Sequence, residues 1–113
     1  MAWRSFAGGS SIGKVGSEGG TIEEDEEYDG AARITLERST RFAPFAITCG
    51  VNGWMVHTRF FEQDREARVE FDAMKTALEQ IVVVAVSVES LSPNDMLARV
   101  SPLLNDFVQR FPN

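Results

Sequence analysis

The chain predicts an α+β fold, an antiparallel β-meander of about four strands followed by two C-terminal helices packed on one sheet face. Three observations predict it. Residues 21–62 alternate in polarity around an Asp-Gly and an Asn-Gly; residues 64–88 contain no Gly, Pro or Asn; and Ser92-Pro93 opens a second apolar stripe of helical period. At 113 residues, 43% hydrophobic and 25% charged, the sequence fits a single domain over 1–113. Within it, 1–20 is a glycine-rich N-terminal segment, 21–62 the meander and 64–112 the helical part.

The first 20 residues hold six of the nine glycines, with Trp3, Phe6, Ile12 and Val15 as the sizeable apolar anchors besides Met1. Such a segment is permissive in backbone and is ordered only if a sheet edge or another chain holds it.

Next comes Glu23-Glu-Asp-Glu-Glu27, which reads as a solvated acidic strand that discourages other strands from adding on. Asp29-Gly30 then turns the chain into the alternation Ala32, Ile34, Leu36. Cross-strand chemistry favours a register with Ile22 opposite Leu36 and Asp25 opposite Arg33.

Asn52-Gly53 is the clearer hairpin signal, because both residues tolerate the positive φ of a two-residue turn. Pairing Val51 with Trp54 sets Cys49 opposite Val56, Ile47 opposite Thr58 and Phe45 opposite Phe60. The other face then carries Thr48 opposite His57 and Ala46 opposite Arg59.

In the helical part, Ala67, Phe71, Met74, Leu78, Ile81, Ala85 and Val88 recur at steps of four and three. The β-branched run Ile81-Val-Val-Val-Ala-Val86 also suits a buried strand over 81–88, but the absence of turn residues favours one continuous helix. Its valine-rich end is expected to be buried or shared with a second chain. Ser92 at the cap, Pro93 in the first turn and Asp95 start the second helix. Its stripe is Met96, Leu97, Val100, Leu103, Leu104, Phe107, Val108 and Phe111, and Pro102 predicts a kink or restart near 98–102.

Composition narrows the function classes. With 11 basic residues against 17 acidic ones, a net charge of −6 and a pI near 4.7, the chain lacks the cations that bind nucleic-acid backbones. The longest apolar run, Ile81–Val86, is far below the ~20 residues of a membrane span. One cysteine makes no internal disulfide, and the start MAWRSFAGGSS lacks an apolar signal core, so cytoplasmic residence is expected.

Few residues offer themselves for chemistry. Cys49 and His57 are the only cysteine and the only histidine, eight positions apart. The tight-turn register puts them on opposite sheet faces, which separates thiol from base. Gly8 to Lys14 has the spacing of a phosphate-binding loop, but Val15 replaces the Ser or Thr that holds magnesium, and no strand-to-helix context surrounds it. Asp25, Glu27 and Asp29 follow the start of a calcium loop whose twelfth position is Leu36 where a glutamate belongs. One cysteine and one histidine are too few for zinc, and no catalytic or cofactor-binding set emerges. The polar cluster left on the second face is Thr48, His57 and Arg59, a possible ligand contact.

The sequence therefore favours a non-catalytic association or accessory module acting as a homodimer, through the valine-rich helix end, the glycine-rich segment or both. A small-ligand binding protein or minor enzyme using His57 and Arg59 is the second expectation. An acidic inhibitor of a basic partner is the third.

Overall fold

Five strands form one sheet in sequence order, every neighbour antiparallel: β1 (Trp3–Ser5), β2 (Thr21–Tyr28), β3 (Ala32–Arg38), β4 (Phe45–Val51) and β5 (Met55–Phe61). Helices α1 (Asp64–Ser87) and α2 (Pro93–Arg110) follow. The computed structural model describes residues 2–113; Met1, first in the glycine-rich segment, lies outside the described residues. Four strands lie in the predicted meander, and the fifth, β1, is contributed by the glycine-rich segment.

Both predicted turns form, and each is followed by one residue more than a two-residue loop. The Trp54 amide donates to the Val51 carbonyl, closing the Asn52-Gly53 turn with Gly53 at φ 77°. Pairing then resumes at Met55, not Trp54, so Val51 faces Met55, Cys49 faces His57 and Ile47 faces Arg59. The extra residue is a bulge at the end of the loop, and it moves every β5 side chain to the opposite face from the tight-turn register. The Asp29-Gly30 hairpin behaves alike: Ala31 donates to Tyr28, pairing resumes at Ala32, and Asp25 faces Thr35 instead of Arg33. The two loops are tied together by Asn52, whose amide donates to the Ala31 carbonyl and whose side chain donates to that of Gly30.

The helix-facing side of the sheet presents Ile34, Leu36, Ile47, Cys49 and Val51, all buried. Against them α1 lays Ala67, Phe71, Met74, Leu78, Ile81 and Val82, close to the predicted stripe. Fully burying side chains of this size contributes roughly 1.5–3 kcal/mol each. Residues 81–87 are helix, which settles the helix-or-strand question: α1 runs 24 residues without a break, and Ile81 and Val82 turn inward while Val83 and Val86 face solvent.

Helix α2 starts as predicted, with the Asp95 amide donating to Ser92 Oγ at 3.3 Å. It is assigned without a break through Pro102. Pro102 and Ala98 are both exposed, so the Ala98 carbonyl that loses its amide donor can turn to water. Only Val100 and Phe107 of α2 are fully buried, together with Phe111 just beyond its end.

Acidic β2 is not simply a solvated strand. Glu23 and Glu24 accept from Arg68, and Glu26 accepts from Lys75 at 2.8 Å, so these carboxylates bridge the sheet to α1. Strand β1 is fastened in the same way, with Trp3 Nε1 donating to Glu79 at 2.8 Å and the Trp3 ring tilted against Tyr28.

Candidate functional site

The bulge after Asn52-Gly53 makes Cys49 and His57 direct cross-strand neighbours on the helix-facing side, the reverse of the segregation expected from a tight turn. Proximity does not make them a reactive pair. No hydrogen bond joins them among the described residues; His57 Nε2 instead donates to the Phe111 carbonyl, and the ring stands edge-on to Phe107. Burial pushes the Cys49 thiol up from 9.0 to about 12, with the Arg59 charge pulling the other way. A nucleophilic cysteine needs the opposite environment, one that favours the thiolate.

Arg59 is likewise committed. Its Nε donates to the Pro112 carbonyl at 2.8 Å and its Nη1 to Glu70 at 2.9 Å, with Phe61 and Phe111 flanking the guanidinium. His57 and Arg59 together therefore clamp the chain's C-terminal residues onto β5. Thr48 is on the other sheet face, where its hydroxyl meets that of Thr58 at 3.3 Å. The predicted cluster of Thr48, His57 and Arg59 is thus divided by the sheet: the bulge carries His57 and Arg59 to the helix side and leaves Thr48 behind.

The second sheet face is covered in part by the glycine-rich segment, which makes several contacts with its own chain. β1 pairs with β2, Val15 bridges to Thr21, and the Phe6 ring lies 3.6 Å from the Arg33 guanidinium. Arg33 in turn forms a two-pronged contact with Asp25, at 2.9 and 2.6 Å, and Thr35 donates to the same carboxylate. That contact raises the Arg33 pKa further, against the lowering effect of burial.

A second buried carboxylate sits beside this cluster. Glu37 is 0% exposed, and the amides of Glu18 and Gly20 donate to it at 3.0–3.3 Å. Gly16 lies over it so closely that a Cβ there would fall 2.3 Å from the Glu37 carboxyl carbon. The glycine-rich segment is thus an anion cradle, a role not expected from its sequence: the anion is the chain's own side chain, and the amides lie beyond the Gly8–Lys14 pattern. Sequence reasoning missed Glu37 because it shares the parity of Arg33 and Thr35, which reads as a solvated face. The available signal was the stretch of glycines free to bring amides close.

Between the N-terminal cover and the β4–β5 hairpin two shallow concavities remain, of about 480 and 340 Å³, sharing Arg33, Gly50 and Val56. Thr48 and Thr35 line the smaller. Among the described residues no group of three or more His, Cys, Asp or Glu could hold a metal ion, and no helix is long and apolar enough to cross a membrane.

Comparison with protein-family models, curated proteins and solved structures finds no match to this chain. Its functional reading rests on the geometry above.

Proposed function

We propose that the protein is a non-catalytic association module that acts as a homo-oligomer, in a reducing, cytoplasmic setting that suits its single cysteine. The observation that carries this reading is a contrast in how side chains are used. The groups most able to do chemistry, Cys49, His57, Arg59, Glu37 and Asp25, are buried and, apart from the neutral thiol, bound to partners in their own chain. Large apolar side chains are left to solvent instead: Val56 is 82% exposed on β5, Phe42 77% in the loop between β3 and β4, and Leu97 and Val83 52% and 51% on the helices. Exposed Phe42 and Phe60 stand together, with ring centroids 5.9 Å apart, and clustered apolar surface of this kind marks contact sites in small domains.

Light scattering on the eluting protein tests the reading. A homodimer of a 12.5 kDa chain weighs twice that, 25 kDa. A mass that stays at one chain up to hundreds of micromolar contradicts it.

A second reading is favoured by the paired concavities beside Thr48 and Arg33, which are large enough for a small ligand. It is tested by a fragment screen read out by amide shifts: perturbations centred on Thr35, Thr48 and Gly50 support it, and none at millimolar ligand removes it.

A further inference from the structure

We infer that the outer edge of β5 pairs antiparallel with the same strand of a second copy, across a two-fold axis at Thr58, joining two five-stranded sheets into one. This rests on the association reading above and names the surface that performs it.

β5 is the last strand of the sheet, and among the described residues none of the backbone hydrogen bonds of turns and loops reaches residues 55–61. The bulge at Trp54 decides which groups face outward. Val51 and Met55 close the hairpin as the hydrogen-bonded pair, alternate pairs follow, and so Val56, Thr58 and Phe60 turn amide and carbonyl away from β4. Free edges of this length are usually blunted by charge, proline, a bulge along the strand or a covering loop. β5 has none of these on its outer side: from Met55 to Phe61 its pairing with β4 is regular, and its second-face side chains are Val56, Thr58 and Phe60.

The occupant follows from the strand's own pattern. About Thr58 the second-face residues read Val56, Thr58, Phe60, so antiparallel self-pairing sets Val56 opposite Phe60 of the second copy and Thr58 opposite Thr58 of the second copy. These are favourable apolar and hydroxyl cross-strand pairs, and the outward amides fall in hydrogen-bonding register with one another. Phe42 already stands edge-on to Phe60 at 5.9 Å, so each copy contributes a Val56, Phe60 and Phe42 patch to one apolar surface. On the helix side His57 and Arg59 keep the contacts they already make.

Charge points the same way. Each copy carries −6, yet no acidic residue lies between Glu37 and Glu62, while six lie between Glu23 and Asp29 on the far side of the sheet. Two copies meeting along β5 keep their acidic β2 strands at the far ends of the joined sheet.

Two variants of the full chain test the inference. Thr58→Cys in a Cys49→Ala background puts a thiol on the proposed axis, where paired Cα atoms of about 5.5 Å fall within the range a disulfide spans. Air oxidation is expected to give a covalent dimer. Val56→Lys, at a position 82% exposed and so safe for the fold, is expected to weaken self-association by about tenfold or more. Val83→Lys, on α1, is the control and is expected to leave association unchanged.

If the unaltered chain is monomeric at all concentrations, both the association reading and this inference fall. If it dimerises, Val56→Lys dimerises equally well and no crosslink forms, the inference alone is overturned, and loss of the dimer in Val83→Lys moves the interface to the helices. Crosslinking only to a foreign chain in a mixture also overturns it, since a heterologous strand then occupies the edge.

Discussion

At the scale of single residues, the candidate chemistry turned out to be fastening. His57 and Arg59 hold Phe111 and Pro112, Asp25 holds Arg33, and Glu37 is held by amides. Arg59→Ala removes a guanidinium that satisfies two chain segments, and should cost about 1–3 kcal/mol of unfolding free energy in a urea titration. A carboxypeptidase should then trim the residues around Pro112 faster than in the natural chain. Gly16→Ala should destabilise by a similar amount, because the new Cβ meets a carboxylate that has nowhere to move without losing its donors. The thiol gives a pH test with a definite sign. Cys49 ionises near 9.0 in the unfolded chain and near 12 in the native one, so the native state keeps a proton that the unfolded state releases. Its contribution to stability is complete below pH 9.0 and is lost as pH rises toward 12. Urea midpoints measured across that range should fall more steeply for the natural chain than for Cys49→Ala; parallel profiles contradict the burial argument. Of this fastening only the meeting of Asp25 with Arg33 was legible, although Asp25 pairs directly with Thr35; what engages Glu37, His57 and Arg59 lies 11 to 54 positions away. The identity of Cys49 as a buried small apolar residue was legible, because it lies on the strand parity of Ile47 and Val51.

At the scale of elements, strands, turns and helices follow from local pattern, and register does not. Asn52-Gly53 announced a turn, and the Val51–Trp54 hydrogen bond forms as expected. A single residue more or less before pairing resumes leaves the turn chemistry unchanged but exchanges the two faces of β5. What selects the bulge is burial: it brings Phe61 into the core and leaves Val56 and Phe60 outside, and it gives His57 and Arg59 the C-terminal carbonyls as partners. Deleting Trp54 would leave a two-residue loop with Val51 still opposite Met55, so Val56 and Phe60 stay outside, His57 and Arg59 keep the C-terminal carbonyls, and circular dichroism should show the cooperative thermal transition retained. Loss of that transition contradicts the account. The continuous helix over 81–87 was legible from the missing turn residues, overriding β-branched propensity through the burial of Ile81 and Val82. Pro102 was legible as a cost but not as one the helix tolerates, because the exposure of Ala98 depends on the tertiary arrangement. Pro102→Ala should restore the missing hydrogen bond and raise stability by about 1–3 kcal/mol, near the propensity difference between the two residues.

At the scale of the whole molecule, the two sheet edges differ in kind. On one side, short β1 and acidic β2 are pinned to α1 through Glu79, Glu26 and Glu24. On the other, β5 ends the sheet with no acidic residue, no proline and an outward row of Val56, Thr58 and Phe60. The α+β architecture, the meander and the helix pair could be read from periodicity alone, whereas this asymmetry could not, because it depends on which strand the bulge leaves facing outward. Backbone amide exchange at β5 tests register and association together. With Val56, Thr58 and Phe60 bonded to a second copy, their amides should become protected as concentration rises, approaching those of His57, Arg59 and Phe61, which bond to β4 throughout. Rapid exchange of Val56, Thr58 and Phe60 at every concentration, beside protected neighbours, would contradict the account.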